Sequence, residues 1–211
     1  VIYLDSAIIS EAQTAVKLGW IKGITTNPTL LAKSELSPEV TLEKLAAISP
    51  GELYYQIMAD NLSAMLAEGR RAFEIIGERT VLKIPATYIG FQAVTILSQE
   101  INCSVTAIYS AAQAVAAKEA GAKYAIAYVN RATRLLGDGL ALVTDMAAIL
   151  KDSKTEILAA SLKSPAEAAA AIKAGAHHLT IPLNIIEAMT THELSQQTVA
   201  EFNSNGKGIT I

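Results

Sequence analysis

A (β/α)8 barrel is the fold class this sequence predicts, and three observations predict it. Eight short β-type runs recur along the 211 residues, each followed by a longer stretch with helical apolar spacing, the alternation expected of parallel βα units. Several of the runs are nearly continuous in apolar residues, as strands covered on both faces must be. At about 26 residues per unit the chain sits near the lower size bound for an eight-fold barrel and has awkwardly many strands for an open doubly wound sheet. The competing expectation, a flavodoxin-like sheet, needs three of the strands to be something else. No linker-like composition divides the chain, so residues 1–211 read as one barrel domain with a C-terminal helix and tail.

The runs follow in order. IYLD spans Ile2–Asp5, and GITT spans Gly23–Thr26, where Asn27-Pro28 breaks the strand and caps a helix. SELSP, Ser34–Pro38, reads as a loop between units. LYYQI (Leu53–Ile57), TVLKI (Thr80–Ile84) and CSVTAI (Cys103–Ile108) follow, then YAIAYV (Tyr124–Val129), EILAAS (Glu156–Ser161) and HLTIP (His178–Pro182). Helix punctuation is clearest at Ser164-Pro165-Ala166-Glu167, a capping box with Ser at the N-cap, Pro at the first helical position and Glu two residues later. Gly175 closes that helix. The phrase helix, Gly, strand occurs twice, as KEAGAKYAIAYV and IKAGAHHLTIPL, and marks a repeated structural unit.

Composition excludes several function classes. With 51% hydrophobic and 18% charged residues the chain is neither disordered nor collagen-like. A net charge of −3 without any run of five basic residues argues against nucleic acid or an anionic membrane as the main partner. The single cysteine, Cys103, leaves no disulfide framework and no Cys-x-x-Cys site, which fits a reducing compartment. No apolar segment approaches the roughly 18 residues that span a bilayer, and Val1–Asp5 carries no basic n-region, so the expected location is cytoplasmic.

In a barrel of this kind, chemistry belongs where the strands end and in the loops that follow. Those positions carry Asp5, Thr25-Thr26-Asn27, Gln56, Lys83, Thr106, Tyr128 with Asn130-Arg131, and Ser161 with Lys163. Lys83 is the sharpest signal, being flanked by Val81, Leu82, Ile84 and Pro85. Burial disfavours the charged form of an amine, and an uncharged amine is what Schiff-base formation with a carbonyl requires. The local pattern alone leaves a second reading open, a strand lysine paired with a carboxylate or reaching solvent.

The other candidates carry paired readings too. Asp5 can fix a substrate hydroxyl, pair with Lys83, or simply cap a turn. Gln56, Thr106 and Tyr128 can hold one ordered water among them, or be buried groups satisfied by the protein. Arg131, Ser161 and Lys163 can bind phosphate through a charged fork, a hydroxyl and an ammonium; solvated surface is the plainer reading of Lys163. His177 and His178 open the last strand at the opposite rim, and His192 lies in the C-terminal helical region, with no ligand spacing that points to a metal. Cys103 reads as a small buried hydrophobe, and Tyr54, Tyr55 and Met58 as packing residues.

These motifs together resemble the small transaldolase-like enzymes, and among them the fructose-6-phosphate aldolases. The resemblance is carried by YLD at Tyr3–Asp5, GITTNPT at Gly23–Thr29, YQIMA at Tyr55–Ala59 and VLKIPAT at Val81–Thr87. It continues through TAIYSAAQA at Thr106–Ala114, YVNR at Tyr128–Arg131 and AASLK at Ala159–Lys163. It implies a barrel-type class I aldolase that works without metal or cofactor, with Lys83 as the Schiff-base lysine. It also implies Asp5, Asn27 and Ser161 near the substrate, Gln56, Thr106 and Tyr128 around a catalytic water, and Arg131 and Ser161 toward phosphate, while Thr26 and Lys163 join the substrate-binding candidates by their positions. Sugar phosphates and dihydroxyacetone-type ketones are the implied ligands, and a homo-oligomer, pentamer or decamer, the implied assembly, with the tail FNSNGKGITI closing over a neighbouring subunit.

Within that resemblance, transaldolases carry Glu where Gln56 stands and commonly Phe or a different sequence around Tyr128, so the expectation here is reversible cleavage of fructose 6-phosphate. Two alternatives stay open: transfer of a dihydroxyacetone unit between sugar phosphates, and a barrel that binds sugar phosphate without turnover. Ala127 and Ile126 depart from the resembling sequences, which usually have Pro and a smaller residue there; Ile126 is expected to narrow the pocket.

Overall fold

In the computed structural model, which describes residues 1–209, eight parallel strands close into a barrel in sequence order. The strands are β1 (Ile2–Asp5), β2 (Ile21–Thr25), β3 (Glu52–Gln56), β4 (Thr80–Pro85), β5 (Asn102–Ile108), β6 (Tyr124–Tyr128), β7 (Glu156–Ala160) and β8 (His178–Ile181). The helices are α1 (Ile9–Val16), α2 (Pro28–Leu31), α3 (Pro38–Ile48), α4 (Leu62–Ile76), α5 (Tyr88–Leu97) and α6 (Ala111–Glu119). They continue with α7 (Val129–Leu136), α8 (Gly139–Leu150), α9 (Pro165–Lys173), α10 (Leu183–Met189) and α11 (Glu193–Asn205). Closure of β1 on β8, with Tyr3 opposite Thr180, excludes the flavodoxin-like alternative. All eight expected strands are present; β2 begins two residues before the apolar run GITT, and Thr26 lies just beyond its end.

The helix starts follow the chemistry of their first residues. Asn27, Ser37, Asn61, Thr87, Ser110 and Ser164 each accept a hydrogen bond from a first-turn N–H, and Pro stands at the first helical position of α2, α3 and α9. Pro38, read as the end of a loop, is therefore the first residue of α3. The capping box is only half made: Ser164 Oγ accepts from Glu167 N–H at 3.1 Å, but the Glu167 carboxylate takes Lys163 N–H at 2.7 Å and the Asn130 amide at 2.8 Å. Glu167 thus ties α9 to α7 across the loop that follows β7. Gly175 ends α9 at φ 108°, a conformation costly for any residue with a Cβ.

Strand alternation divides the apolar residues into two cores. The larger lies between barrel and helices, with Leu4, Ile24, Leu53, Leu82, Ile84 and Val105 facing outward. Cys103 belongs to it, and burial pushes its thiol up to about 12, so it is packing and not a nucleophile. The second core fills the barrel: Tyr3, Tyr54, Val81, Tyr124, Ile126, Leu158 and Ala160, with Tyr128 packed on it. Ile126, 1% exposed, occupies this inner layer directly before Tyr128 on the inward side of β6. Of the expected packing residues, Tyr54 points inward and Tyr55 outward, while Met58 is 63% exposed and packs little, because it follows the strand's end in an open loop.

The floor of the barrel, at the N-terminal ends of the strands, is a polar plug. Glu52 accepts from Tyr3 at 2.8 Å, Tyr124 at 2.9 Å, Tyr54 at 3.3 Å and Lys123 at 2.7 Å. The three rings pack on one another edge-on or tilted, and His178, bonded to Glu156 at 2.8 Å, stands edge-on to Tyr3 and Tyr124. Gly23 leaves room for this cluster: a Cβ there would collide with the Glu52 main-chain carbonyl and lie 2.9 Å from the Tyr3 ring. Burial alone would raise the Glu52 carboxyl, but the bonds from Lys123, Tyr3 and Tyr124 outweigh it and hold the group below its ordinary value of 4.5.

A depressed folded-state pKa stabilises the fold above the unfolded value, and the contribution disappears as pH falls through the folded value. Glu52→Gln should therefore lower unfolding free energy by about 2–3 kcal/mol at pH 7, the scale of lost bonds to a charged acceptor. The gap from the unsubstituted protein should narrow below about pH 4.5. Urea titrations of both proteins at pH 7 and pH 4 measure it, and an equal gap at both values refutes the role given to Glu52.

Candidate active site

At the other end of the barrel the inward positions become polar. Lys83 stands on β4 two residues after Val81, opposite Gln56 of β3 on one side and Ser104 of β5 on the other. Its residue is 3% exposed, and Nζ donates to the Thr26 carbonyl at 2.9 Å. The alternative of a lysine reaching solvent is thereby excluded. That bond also defines what Thr26 does here: its carbonyl meets the amine, whereas its own hydroxyl donates to Tyr54 O at 2.7 Å and is occupied in joining β2 to β3.

Asp5 ends β1 and accepts from the Thr25 hydroxyl at 2.8 Å; Thr25 in turn shares a short hydrogen bond with Thr180. Burial pushes the Asp5 carboxyl above its ordinary value, opposed by the Lys83 charge first, the Thr25 bond next, and then Lys163 and Lys33. Asp5 and Lys83 are thus an acid and an amine near enough for their charges to interact, although among the described residues neither a hydrogen bond nor an ion pair joins them. Thr180 is a site neighbour that sequence reading gave no role; the signal was one hydroxyl inside the apolar run HLTIP.

Thr106 and Tyr128 meet at the mouth. The Thr106 hydroxyl donates to the Tyr128 oxygen at 3.0 Å, which leaves the phenolic proton free for another acceptor. Their approach depends on an irregularity: the β5–β6 register shifts between Val105 and Ile108, and Ala107, next to Thr106, takes φ 59°. A left-handed Ala costs roughly 1 kcal/mol, and such strain collects where geometry matters more than stability. Ser161, just past β7, has the same φ of 59°, and its carbonyl accepts from Asn130 N–H at 3.1 Å. Two of the three non-glycine residues with positive φ among the described residues therefore border this mouth.

The remaining candidates are less concentrated. The Asn27 side-chain oxygen caps α2 through Leu30 N–H at 3.0 Å, which leaves both hydrogens of its amide nitrogen unpaired among the described residues. The Arg131 guanidinium lies over the Tyr128 ring at 5.1 Å and is exposed, within reach of the mouth. Lys163 is exposed as well; it raises no contact in the site beyond its charge on Asp5. A cleft of about 320 Å3 opens beside Gln56, walled by Pro28, Leu31, Leu36, Pro38, Tyr55 and Met58. His177 and His178 lie at the floor, opposite the mouth, as read from the sequence.

A family model described as transaldolase/fructose-6-phosphate aldolase matches residues 2–209. A probable transaldolase of Anaeromyxobacter sp. is 36% identical over 203 residues, covering 95% of this chain and 94% of that protein. Another from Caldicellulosiruptor saccharolyticus is 36% identical over 205 residues with the same coverage. Among solved structures, a mandelate oxidase superposes with a TM-score of 0.62 at 19% identity, over 83% of this chain and 59% of that longer one, a likeness of fold alone.

The Asp5–Lys83 coupling has a direct readout. Lys83→Met removes the largest influence that holds the Asp5 carboxyl down, so its pKa should rise further above the ordinary Asp value. Carbon-13 NMR titration of the Asp side chains measures this, and an unchanged or lower Asp5 value in the variant overturns the coupling.

Proposed function

The chain belongs to the transaldolase/fructose-6-phosphate aldolase family, and on that premise we propose that it reversibly cleaves fructose 6-phosphate to dihydroxyacetone and glyceraldehyde 3-phosphate through a Schiff base on Lys83. The observation that carries the reading is the buried Lys83 amine at the inward end of β4, bonded to the Thr26 carbonyl and within range of the Asp5 charge. Asp5 can take up the proton that Lys83 must lose before it attacks the C2 carbonyl. Addition gives a carbinolamine; loss of its hydroxyl as water gives the iminium.

Cleavage then needs a base for the C4 hydroxyl and a sink for the C3–C4 electron pair. The iminium is the sink. The base is a water held by Gln56, Thr106 and Tyr128, with the Tyr128 phenol free to donate because its oxygen already accepts from Thr106. As the bond breaks, the aldehyde leaves and an enamine remains on Lys83. Protonation at C3 and addition of water to the regenerated iminium release dihydroxyacetone and restore the amine. No metal or cofactor enters this scheme. Asn27 and Ser161 are assigned to substrate hydroxyls, and Arg131, with Ser161 and Lys163, to the phosphate, on the opposite side of the mouth from the cleft beside Gln56.

The second reading is transaldolase, favoured by the description given to the relatives from Anaeromyxobacter and Caldicellulosiruptor. The two reactions diverge at the enamine, which either is protonated and released or waits for another aldehyde. Gln56 cannot titrate, so proton delivery falls to the Tyr128 phenol and the water it holds, and this supports release. Assembly as a homo-oligomer belongs to the same proposal. Helix α11 has no buried residue and leaves Leu194, Val199 and Phe202 exposed, apolar surface that a second copy can cover. The tail's last residues, Thr210 and Ile211, lie outside the described residues.

Dihydroxyacetone followed by borohydride should leave an adduct on the Lys83 peptide by mass spectrometry, and none without reductant. An intact protein with Lys83 unmodified overturns the mechanism in favour of a binding role. Tyr128→Phe should lower fructose 6-phosphate cleavage by about 100-fold or more, the scale of one general acid, while raising the share of three-carbon transfer to erythrose 4-phosphate. Retention of full cleavage with no gain in transfer refutes the role of the phenol. Light scattering on a sizing column should give a mass several times the 22.3 kDa of one chain; a monomer refutes the assembly.

A further inference from the structure

A single carboxylate on α4 accepts three hydrogen bonds from the segment that carries Gln56. Tyr55, immediately before Gln56, turns to the outer face of β3 and donates its hydroxyl to Glu68 Oε1 at 2.6 Å. After the strand, Met58 N–H donates to the same oxygen at 2.9 Å and Ala59 N–H to Oε2 at 2.8 Å. Between them, Ile57 N–H donates to the Lys83 carbonyl at 3.0 Å and completes the ladder to β4. Met58 and Ala59 therefore carry the first two amides beyond the ladder, and Glu68 satisfies both.

Gln56 has no comparable anchor of its own: among the described residues, no protein group hydrogen-bonds its side chain. The backbone from Tyr55 to Ala59 sets the point and direction from which the Gln56 side chain leaves the strand, and that backbone is bracketed on both sides by Glu68. A carboxylate suits this task because each oxygen offers two acceptor sites and its bonds to N–H are charge-assisted. An amide at the same place has one acceptor oxygen and presents N–H to a donor. No pattern local to the sequence shows this, since α4 brings Glu68 back to the loop from nine residues beyond Ala59.

We propose that Glu68 is a positioning residue for Gln56, holding the end of β3 so that the Gln56 amide faces the water shared with Tyr128 and Thr106. It touches no substrate and acts through the backbone it clamps. The same bonds fix Tyr55 and Met58, two walls of the cleft beside Gln56. The inference rests on the proposed role of Gln56 in the aldol reaction, and its test separates the two.

Glu68→Gln should lower kcat for fructose 6-phosphate cleavage by about 10- to 100-fold, the cost of a misplaced group that takes part in proton transfer. KM should stay within about twofold, because the phosphate and hydroxyl contacts lie elsewhere, and the borohydride adduct on Lys83 should still form. Tyr55→Phe, which leaves both backbone bonds in place, should lose less. In a Gln56→Ala background the Glu68→Gln substitution should cost little further kcat, since both changes act on one group.

Equal kcat in Glu68→Gln and the unsubstituted protein overturns the proposal, as does a loss that adds fully to that of Gln56→Ala. A lowered melting temperature with kcat unchanged in the folded protein overturns it too, because it assigns Glu68 to stability alone. If the unsubstituted protein neither cleaves the sugar nor forms the adduct, the functional reading fails first, and this inference with it.

Discussion

The interior of an eight-stranded barrel is just wide enough for side chains to fill, and every other feature of this molecule depends on how that filling is divided. Its inward positions form three levels. A carboxylate with three phenols and a lysine lies at the floor, Val81, Ile126 and Leu158 lie across the middle, and Lys83, Asp5, Gln56, Thr106 and Tyr128 line the mouth. The middle level puts apolar side chains between the two polar clusters. Each cluster can then be tuned by its own neighbours: Glu52 is held ionised by its donors, while Asp5 is pushed toward its protonated form by burial.

The position of Ile126 follows from the same division. Its departure from the resembling sequences suggests a narrower pocket, but the side chain lies in the middle level beneath Tyr128, on the surface that supports the phenol ring. Its bulk therefore bears on the height and tilt of Tyr128 before it bears on the space a ligand can take. The strain at Ala107 and Ser161 bears on the mouth in a similar way, fixing Thr106 from one side and the β7 exit from the other.

The strands were legible because a parallel strand covered on both faces must be apolar along its length, and the helices because Ser, Asn or Thr followed by Pro or a helical stretch has few other uses. Lys83 stood out for the converse reason: an amine inside such a strand breaks the pattern. What stayed hidden is long-range. In LYYQ the alternation does not say which tyrosine faces inward, and Glu52 at the start of a strand looks like an ordinary surface charge until Tyr3 and Tyr124 arrive from strands 49 and 72 residues away. Glu68 is illegible in the same way, being one more charged residue on an amphipathic helix until the chain folds back on it. Among the site candidates, Thr26 shows a further limit, since its contribution to Lys83 is a main-chain oxygen that no choice of side chain reveals.

The floor plug carries one more consequence. With Glu52 drawing Tyr3, Tyr54, Tyr124 and Lys123 together, and the middle level packed above them, the floor of the barrel is filled among the described residues and the polar end is the mouth. On the proposed chemistry, the carbons joined to Lys83 sit deepest and the aldehyde fragment nearest the exit, so whatever enters last must leave first. That order of traffic is imposed by architecture, independently of whether the enamine left behind next meets a proton or another sugar.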